Sequence, residues 1–273
     1  MKEFANAKIN LGLNVVGERE DGYHLLDMIM VPLTLGDEID IELSDRDCFS
    51  SNTSLGWDKG NLMYRAVELL REKYGVKEHF HITLNKRIPM QAGLAGGSAD
   101  CRAVLRAVNQ LCKLDLSLEE LMETGVTLGA DVPFCLFNKP ARVKGIGEEV
   151  RGISIKKKYH VLLIKPEEGV STAEVFRAYK PTVSYDMDAL ENRLCDGEKL
   201  PLGNALEQSA MEILPQIRTI KQQCLDLGYD DVLMSGSGSC VFVLSTRKRE
   251  LNKIYSYMKN IYSFVIMSEI KAF

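Results

Sequence analysis

The segment Pro89-Met90-Gln91-Ala92-Gly93-Leu94-Ala95-Gly96-Gly97-Ser98-Ala99-Asp100 most constrains what this chain can fold into. Before it, Phe80-His81-Ile82-Thr83-Leu84 alternates apolar with polar residues as a half-buried strand does. After it, Cys101, Val104, Leu105, Val108 and Leu111 recur on one helical face. A strand that turns through small residues into a helix presents unpaired N–H groups and the positive end of the helix dipole, a seat for phosphate. Three glycines within five residues let a ligand approach the backbone closely, and Gly96 is read as a position of positive φ. No Lys-Ser or Lys-Thr follows the glycines, so this is not a Walker A loop, and the spacing is not G-x-G-x-x-G. An ordinary tight turn would carry the same small residues.

Strand-like and helix-like segments alternate along all 273 residues, which predicts a mixed α+β chain of one large or two ordinary domains. Ile39 to Leu43 reads as a strand, and Leu62, Met63, Ala66, Val67, Leu70 and Tyr74 as a helix stopped by Gly75. Ser117 to Glu120 and Ser171 to Glu174 read as capping boxes opening two further helices. His160 to Ile164 is a short apolar run, a buried strand, and the lysine-rich stretch before it places a boundary between domains 1–152 and 153–273. The end of the chain reads strand (Val241 to Leu244), helix (Leu251, Ile254, Tyr255, Met258) and strand (Phe264 to Met267), preceded by a helical face at Ile217, Ile220, Cys224 and Leu227.

With 45% hydrophobic and 26% charged residues the composition is that of a folded globular protein. The 34 Lys+Arg against 38 Asp+Glu leave a net charge of −4, so no global basic field would hold nucleic acid or an anionic membrane. Seven cysteines without a C-x-x-C pair predict reduced thiols and no structural metal. Met1 to Leu13 lacks the pattern of a signal peptide and no apolar run approaches the ~20 residues of a membrane span, so a cytoplasmic location is expected.

Four more segments carry chemistry-bearing residues. Ser235-Gly236-Ser237-Gly238-Ser239-Cys240 precedes a strand, and glycines this dense suit either a loop or a close backbone approach. Gly129-Ala130-Asp131-Val132-Pro133 sets one carboxylate among small residues, where it could also be a helix N-cap. Ala7 to Val15 alternates so that Lys8, Asn10 and Asn14 share one strand face, and a surface strand would read the same. Asp21-Gly22-Tyr23-His24 opens with a type I′ turn dipeptide.

Taken in order, Ala7-Lys8-Ile9-Asn10-Leu11, Asp21 to His24, Pro89 to Asp100, Gly129 to Phe134, Gly145-Ile146-Gly147-Glu148 and Ser235 to Ser239 resemble the GHMP kinase superfamily. The resemblance runs from residue 5 to beyond residue 240. It implies an N-terminal nucleotide domain of the ribosomal-protein type and a C-terminal ferredoxin-like domain. The implied reaction is ATP-dependent, magnesium-assisted phosphorylation of a small alcohol. Lys8-Ile9-Asn10 with Gly22-Tyr23-His24 points to the 2-hydroxyl of cytidine-diphosphate methylerythritol, in the non-mevalonate route to isoprenoids. Homoserine kinase and a catalytically silent ligand-binding regulator are the alternatives.

By the same resemblance Asp131 matches the catalytic base and Lys8 its partner, with Asn10 holding the hydroxyl. Gly93, Leu94, Ala95, Gly96, Gly97 and Ser98 match the loop around the ATP phosphates, with the Ser98 hydroxyl near the metal, and Asn61 and Lys86 match nucleotide-side positions. Tyr23 and Phe176 match two aromatic faces around cytosine and His24 the reader of its edge. Three departures stand out: Cys101-Arg102 replaces a small pair after the loop, Ala205 stands where aspartate is common, and Met30 where an aromatic is.

Overall fold

The computed structural model describes residues 1–181 and 183–271. Two long strands, β1 (Lys2–Glu18) and β2 (His24–Ser44), contribute to each of two compact units. The first unit comprises 1–7, 35–89 and 95–138, and the second 8–34, 90–94 and 139–273.

In the first unit the C-terminal half of β2 is followed by β3 (Cys48–Ser51), α1 (Leu62–Tyr74), β4 (His79–Asn85), α2 (Gly96–Leu111), α3 (Leu118–Val126) and α4 (Val132–Phe137). β4 pairs antiparallel with β2 from Glu38↔Asn85 to Ser44↔His79, and β3 runs parallel to β4 with α1 as the crossover. Gly75 closes α1 at φ 71°, in the left-handed region the sequence assigns to it. The Ser117 capping box forms in full, Ser117 and Glu120 each accepting from the other's backbone N–H. Cys101 and Arg102 are both buried in α2, and Arg102 donates to Glu3 Oε2 (3.2 Å) and Phe4 O (3.0 Å). The departure from small residues there is absorbed by an ion pair with the start of β1.

The second unit adds β5 (Ala141–Gly145), β6 (Glu149–Gly152), β7 (His160–Lys165), α5 (Thr172–Ala178), α6 (Met187–Asp196), β8 (Gly203–Asn204), α7 (Glu207–Ile213), α8 (Gln216–Asp226), β9 (Val232–Met234), β10 (Val241–Ser245), α9 (Lys248–Lys259) and β11 (Phe264–Glu269). A four-stranded antiparallel sheet runs β11-β7-β10-β9, the ferredoxin-like order. Its central strand β7 is buried from Val161 to Lys165, as its continuous apolar run requires. Ser171 caps α5 by accepting from Glu174 N–H at 3.5 Å, the helix half of a capping box. Arg142 on β5 forks onto Asp27 of β2 (Nε–Oδ1 2.9 Å, Nη2–Oδ2 2.7 Å) and also bonds Asp188 and Glu191 of α6. Met30 is fully buried in β2, opposite Ala141.

One local expectation is corrected and one alternative is set aside. The β1–β2 connection is not a type I′ turn, because among its residues Gly22 alone (φ 83°) has positive φ. Its bonds, Gly22 N–H to Arg19 O and Arg19 N–H to Tyr23 O, make a three-residue loop closed by a glycine bulge. β1 is also no surface strand: Ile9, Leu11 and Leu13 are buried on one face and Lys8, Asn10 and Asn14 on the other.

Candidate active site

In the first unit the backbone carries most of the site. Ala95 (φ 55°) turns the chain into α2 and offers no capping side chain, and the first helical bond is Ala99 N–H to Ala95 O. The amides of Gly96, Gly97 and Ser98 therefore precede the helical ladder, with no acidic residue in the first turn to offset the dipole. Gly96 itself does not adopt positive φ; the left-handed residues of the segment are Gln91 (φ 51°), Gly93 (φ 70°) and Ala95. Gly96 is required by space, since a Cβ there would lie 2.9 Å from Lys86 Nζ and 3.0 Å from Ile88 Cγ2. At Gly97 a Cβ would meet only Leu62 Cδ1, at an ordinary 3.6 Å.

The Asp131 motif lies beside this turn, a Cβ on Gly129 falling 3.7 Å from Ser98 Oγ and 3.9 Å from Leu62 Cδ1. Asp131 occupies the N-cap position of α4, yet its carboxylate makes no capping bond. Asn61 caps α1 instead, accepting from Met63 N–H (2.9 Å) while donating to Gly56 O (2.8 Å), so its side-chain amide fixes the loop before the helix.

Lys86 is buried below the turn. Its ammonium donates to Asp37 Oδ2 (2.5 Å) and Asp100 Oδ2 (2.6 Å), and Asp37 Oδ1 accepts from Arg87 and Ile88 N–H. Burial pushes the Asp100 carboxyl well above the usual aspartate range, with Lys86 working against that and Asp37 with it. The triad links β2, the exit of β4 and the second turn of α2, groups too distant in sequence for any motif to signal.

In the second unit three segments converge. Lys8 Nζ donates to Asn10 Oδ1 (2.8 Å), and Asn10 Nδ2 lies 3.3 Å from Met28 Sδ. Against this pair lies Gly236 (φ 56°), whose Cβ would fall 3.1 Å from Lys8 Nζ and 3.1 Å from Gly93 O. A Cβ on Gly93 would lie 2.0 Å from Ser235 O, and the Ser235 hydroxyl donates to Gly93 O (2.9 Å). The two small-residue runs are thus glycine-rich partly because they pack backbone to backbone, and the second is a buried close approach rather than a loose loop.

Asn204 holds the second run in place, donating to Met234 O (2.9 Å) and Gly236 O (2.8 Å). Its neighbour Ala205 is buried and bonded through its backbone to Leu13 O. Asn14 turns elsewhere, onto the backbone of Tyr185. Of the aromatic set, His24 lies over Phe176 with centroids 5.1 Å apart and edge-on to Tyr179 at 6.1 Å, while Tyr23 is 60% exposed. Sequence reasoning missed Asn204 and Tyr179: a lone asparagine in a two-residue strand and a tyrosine at a helix end carry no motif.

Among the described residues no group of three or more His, Cys, Asp or Glu could hold a metal ion, and no helix is long and apolar enough to cross a membrane.

A glycine turn into a helix N-terminus, a buried lysine and a ferredoxin-like sheet define a class that comparison identifies. Residues 61–139 match the GHMP kinases N terminal domain and residues 186–263 the GHMP kinases C terminal domain. Over 266 residues the chain is 41% identical to the 4-diphosphocytidyl-2-C-methyl-D-erythritol kinase of Bacillus subtilis strain 168, covering 94% of this chain and 92% of that one. A crystal structure of 4-(cytidine 5'-diphospho)-2C-methyl-D-erythritol kinase superposes at a TM-score of 0.85 with 32% identity, covering 100% of both chains. Homoserine kinase from Cytophaga hutchinsonii shares the fold, at a TM-score of 0.77 and 20% identity over 100% of this chain and 94% of that one. The chain belongs to the GHMP kinase family, among its 4-diphosphocytidyl-2-C-methyl-D-erythritol kinases.

Proposed function

We propose that this enzyme transfers the γ-phosphoryl group of ATP to the 2-hydroxyl of 4-diphosphocytidyl-2-C-methyl-D-erythritol. Identity of 41% across nearly the whole length of a kinase named for that substrate carries the reading. Homoserine kinase, at 20% identity, is a likeness of fold alone.

In phosphoryl transfer the protein mainly positions groups and neutralises charge. Asp131 is assigned as the base that accepts the hydroxyl proton. Its N-cap position without a capping bond supports that role. Lys8 polarises the hydroxyl and Asn10, bonded to Lys8, holds it. The amides from Gly93 to Ser98 receive the ATP phosphates, supported by the exposed backbone of Gly97 and the absence of a capping side chain.

Magnesium, when bound, neutralises phosphate charge; Ser98 is the residue assigned to it, and a single hydroxyl suits a metal held mostly by phosphate oxygens and water. Asn61 is assigned to the nucleotide side, its loop fixed by its own cap, and Lys86 acts there by tying down the N-terminal part of α2 at Asp100. Tyr23 and Phe176 stack cytosine and His24 reads its edge, supported by the His24–Phe176 contact. Residues 1–152 and 153–273 are proposed as the inherited domains, a cytoplasmic location goes with them, and no nucleic-acid or membrane partner is expected.

ATP consumption measured in parallel with the cytidine-diphosphate alcohol, homoserine and mevalonate tests the reading. Turnover with homoserine exceeding that with the cytidine substrate would overturn it.

A further inference from the structure

Lys165, the last residue of β7, is 7% exposed. Its ammonium donates to three consecutive main-chain carbonyls, Pro166 O (2.9 Å), Glu167 O (3.0 Å) and Glu168 O (3.1 Å). A lysine ammonium has three N–H donors, so all are used and none remains for a ligand. Among the described residues no carboxylate lies within ion-pair distance of it. Burial lowers its pKa from the ordinary lysine value, with Cys240 and Glu168 acting the other way.

The corner that these carbonyls make is fastened to both glycine runs. Glu168 O also accepts from the Ser239 hydroxyl (3.0 Å), and Thr172 Oγ1 shares a 2.8 Å hydrogen bond with Ser237 Oγ. Gly169 presses on Gln91, where a Cβ would fall 2.5 Å from Gln91 Cβ. Gln91 and Ala92 in turn accept from Ser239 and Cys240 N–H. Segment 166–172 therefore braces the first run at Gln91, the second at Ser237 and Ser239, and leads into the helix that carries Phe176.

Three carbonyls converging on one positive charge are the arrangement by which backbone replaces the hydration shell of a large monovalent cation. We propose that Lys165 is a built-in monovalent cation, tethered by its own side chain, that organises the 166–172 corner and so positions both glycine runs for phosphoryl transfer. It is a positioning residue, and its bearing on catalysis rests on the proposed function of those runs.

The test compares wild type, Lys165→Ala and Lys165→Met in potassium, ammonium and tetramethylammonium chloride at equal ionic strength. kcat, KM and Tm are read in each salt. In tetramethylammonium, Lys165→Ala should lose about tenfold or more in kcat/KM. Potassium or ammonium should restore most of that loss and raise the Tm of Lys165→Ala but not of wild type. Lys165→Met, whose side chain fills the same space without charge, should lose activity and not respond. A Lys165→Ala protein that folds only with potassium or ammonium supports the proposal, and one that folds in no salt overturns it. Wild-type kinetics in tetramethylammonium, or a loss that small cations do not lift, would likewise overturn it. Failure of wild type to phosphorylate the cytidine substrate would overturn the proposed function instead, because the salt dependence of Tm reads the carbonyl corner without any substrate.

Discussion

Gly97→Ala should make the protein more stable and a worse ATP binder, two effects of opposite sign from one methyl group. The new Cβ would meet only Leu62 Cδ1 at 3.6 Å, and Gly97 has no positive φ to surrender. The fold therefore gives no reason for glycine there. Replacing a helical glycine by alanine contributes about 0.5–1 kcal/mol of stability. The methyl would, however, stand on the exposed first turn of α2, where the proposed phosphate contacts require the backbone to be approached closely. Loss of ATP affinity by tenfold or more, about 1.4 kcal/mol, is expected.

Gly93→Ala is the contrast, because its Cβ would fall 2.0 Å from Ser235 O at φ 70°. The left-handed conformation costs about 1–2 kcal/mol and the displaced backbone about 1–3 more. Urea unfolding and calorimetric ATP titration of both variants separate the two kinds of glycine. A Gly97→Ala protein that is stabilised yet binds ATP as wild type does would refute the ligand explanation, and a destabilised one would refute the open space at that position.

Asp131→Asn and Lys8→Ala should each lower kcat by several orders of magnitude, with the double variant little worse than either; additive losses would show the two residues acting independently. His24→Ala should lower the preference for the cytidine over the uridine substrate, whereas Phe176→Ala weakens both alike, as kcat/KM for the two substrates would reveal. An unchanged ratio in His24→Ala moves cytosine reading to other residues. The Arg151 guanidinium, opposed by burial and aided by Arg142, holds the Glu191 carboxyl below its ordinary 4.5. Its contribution is thus complete above about pH 4.5 and lost as pH falls through the folded value, so Glu191→Gln should cost about 1 kcal/mol at pH 7 and converge on wild type in acid. A difference that persists unchanged through acid urea titrations would show that the ion pair is not its source.

Local grammar was legible in the sequence wherever one segment decides its own structure. Gly75, Ser117 and the Ile217-Ile220-Cys224 stripe each do what their neighbours imply. The Asp21-Gly22 dipeptide suggests a two-residue turn, but Glu20 joins it and the glycine serves a bulge. Groups made by residues far apart were not legible. Lys86 meets Asp37 across 49 positions, and Asn204 meets Gly236 across 32. In β1 the alternation of Lys8 and Asn10 with Ile9 and Leu11 imitates a solvent-facing strand, because periodicity records polarity and not what covers the polar face.

That covered face also bears on whether the chain is a working kinase or a silent binder of ligand. Lys8 is 4% exposed and Asn10 fully buried, and burying an ammonium costs several kcal/mol before its partners offset it. Well-packed apolar residues of similar volume would serve the strand at least as well. Asp131 holds an N-cap position yet does not make the capping bond that usually explains an aspartate there. A protein that only bound nucleotide would need neither residue, since the proposed phosphate seat at Gly96 to Ser98 is backbone. A buried ammonium beside an asparagine, and a carboxylate that does not serve as its helix cap, are what hydroxyl polarisation and proton abstraction require, and they agree with the kinase.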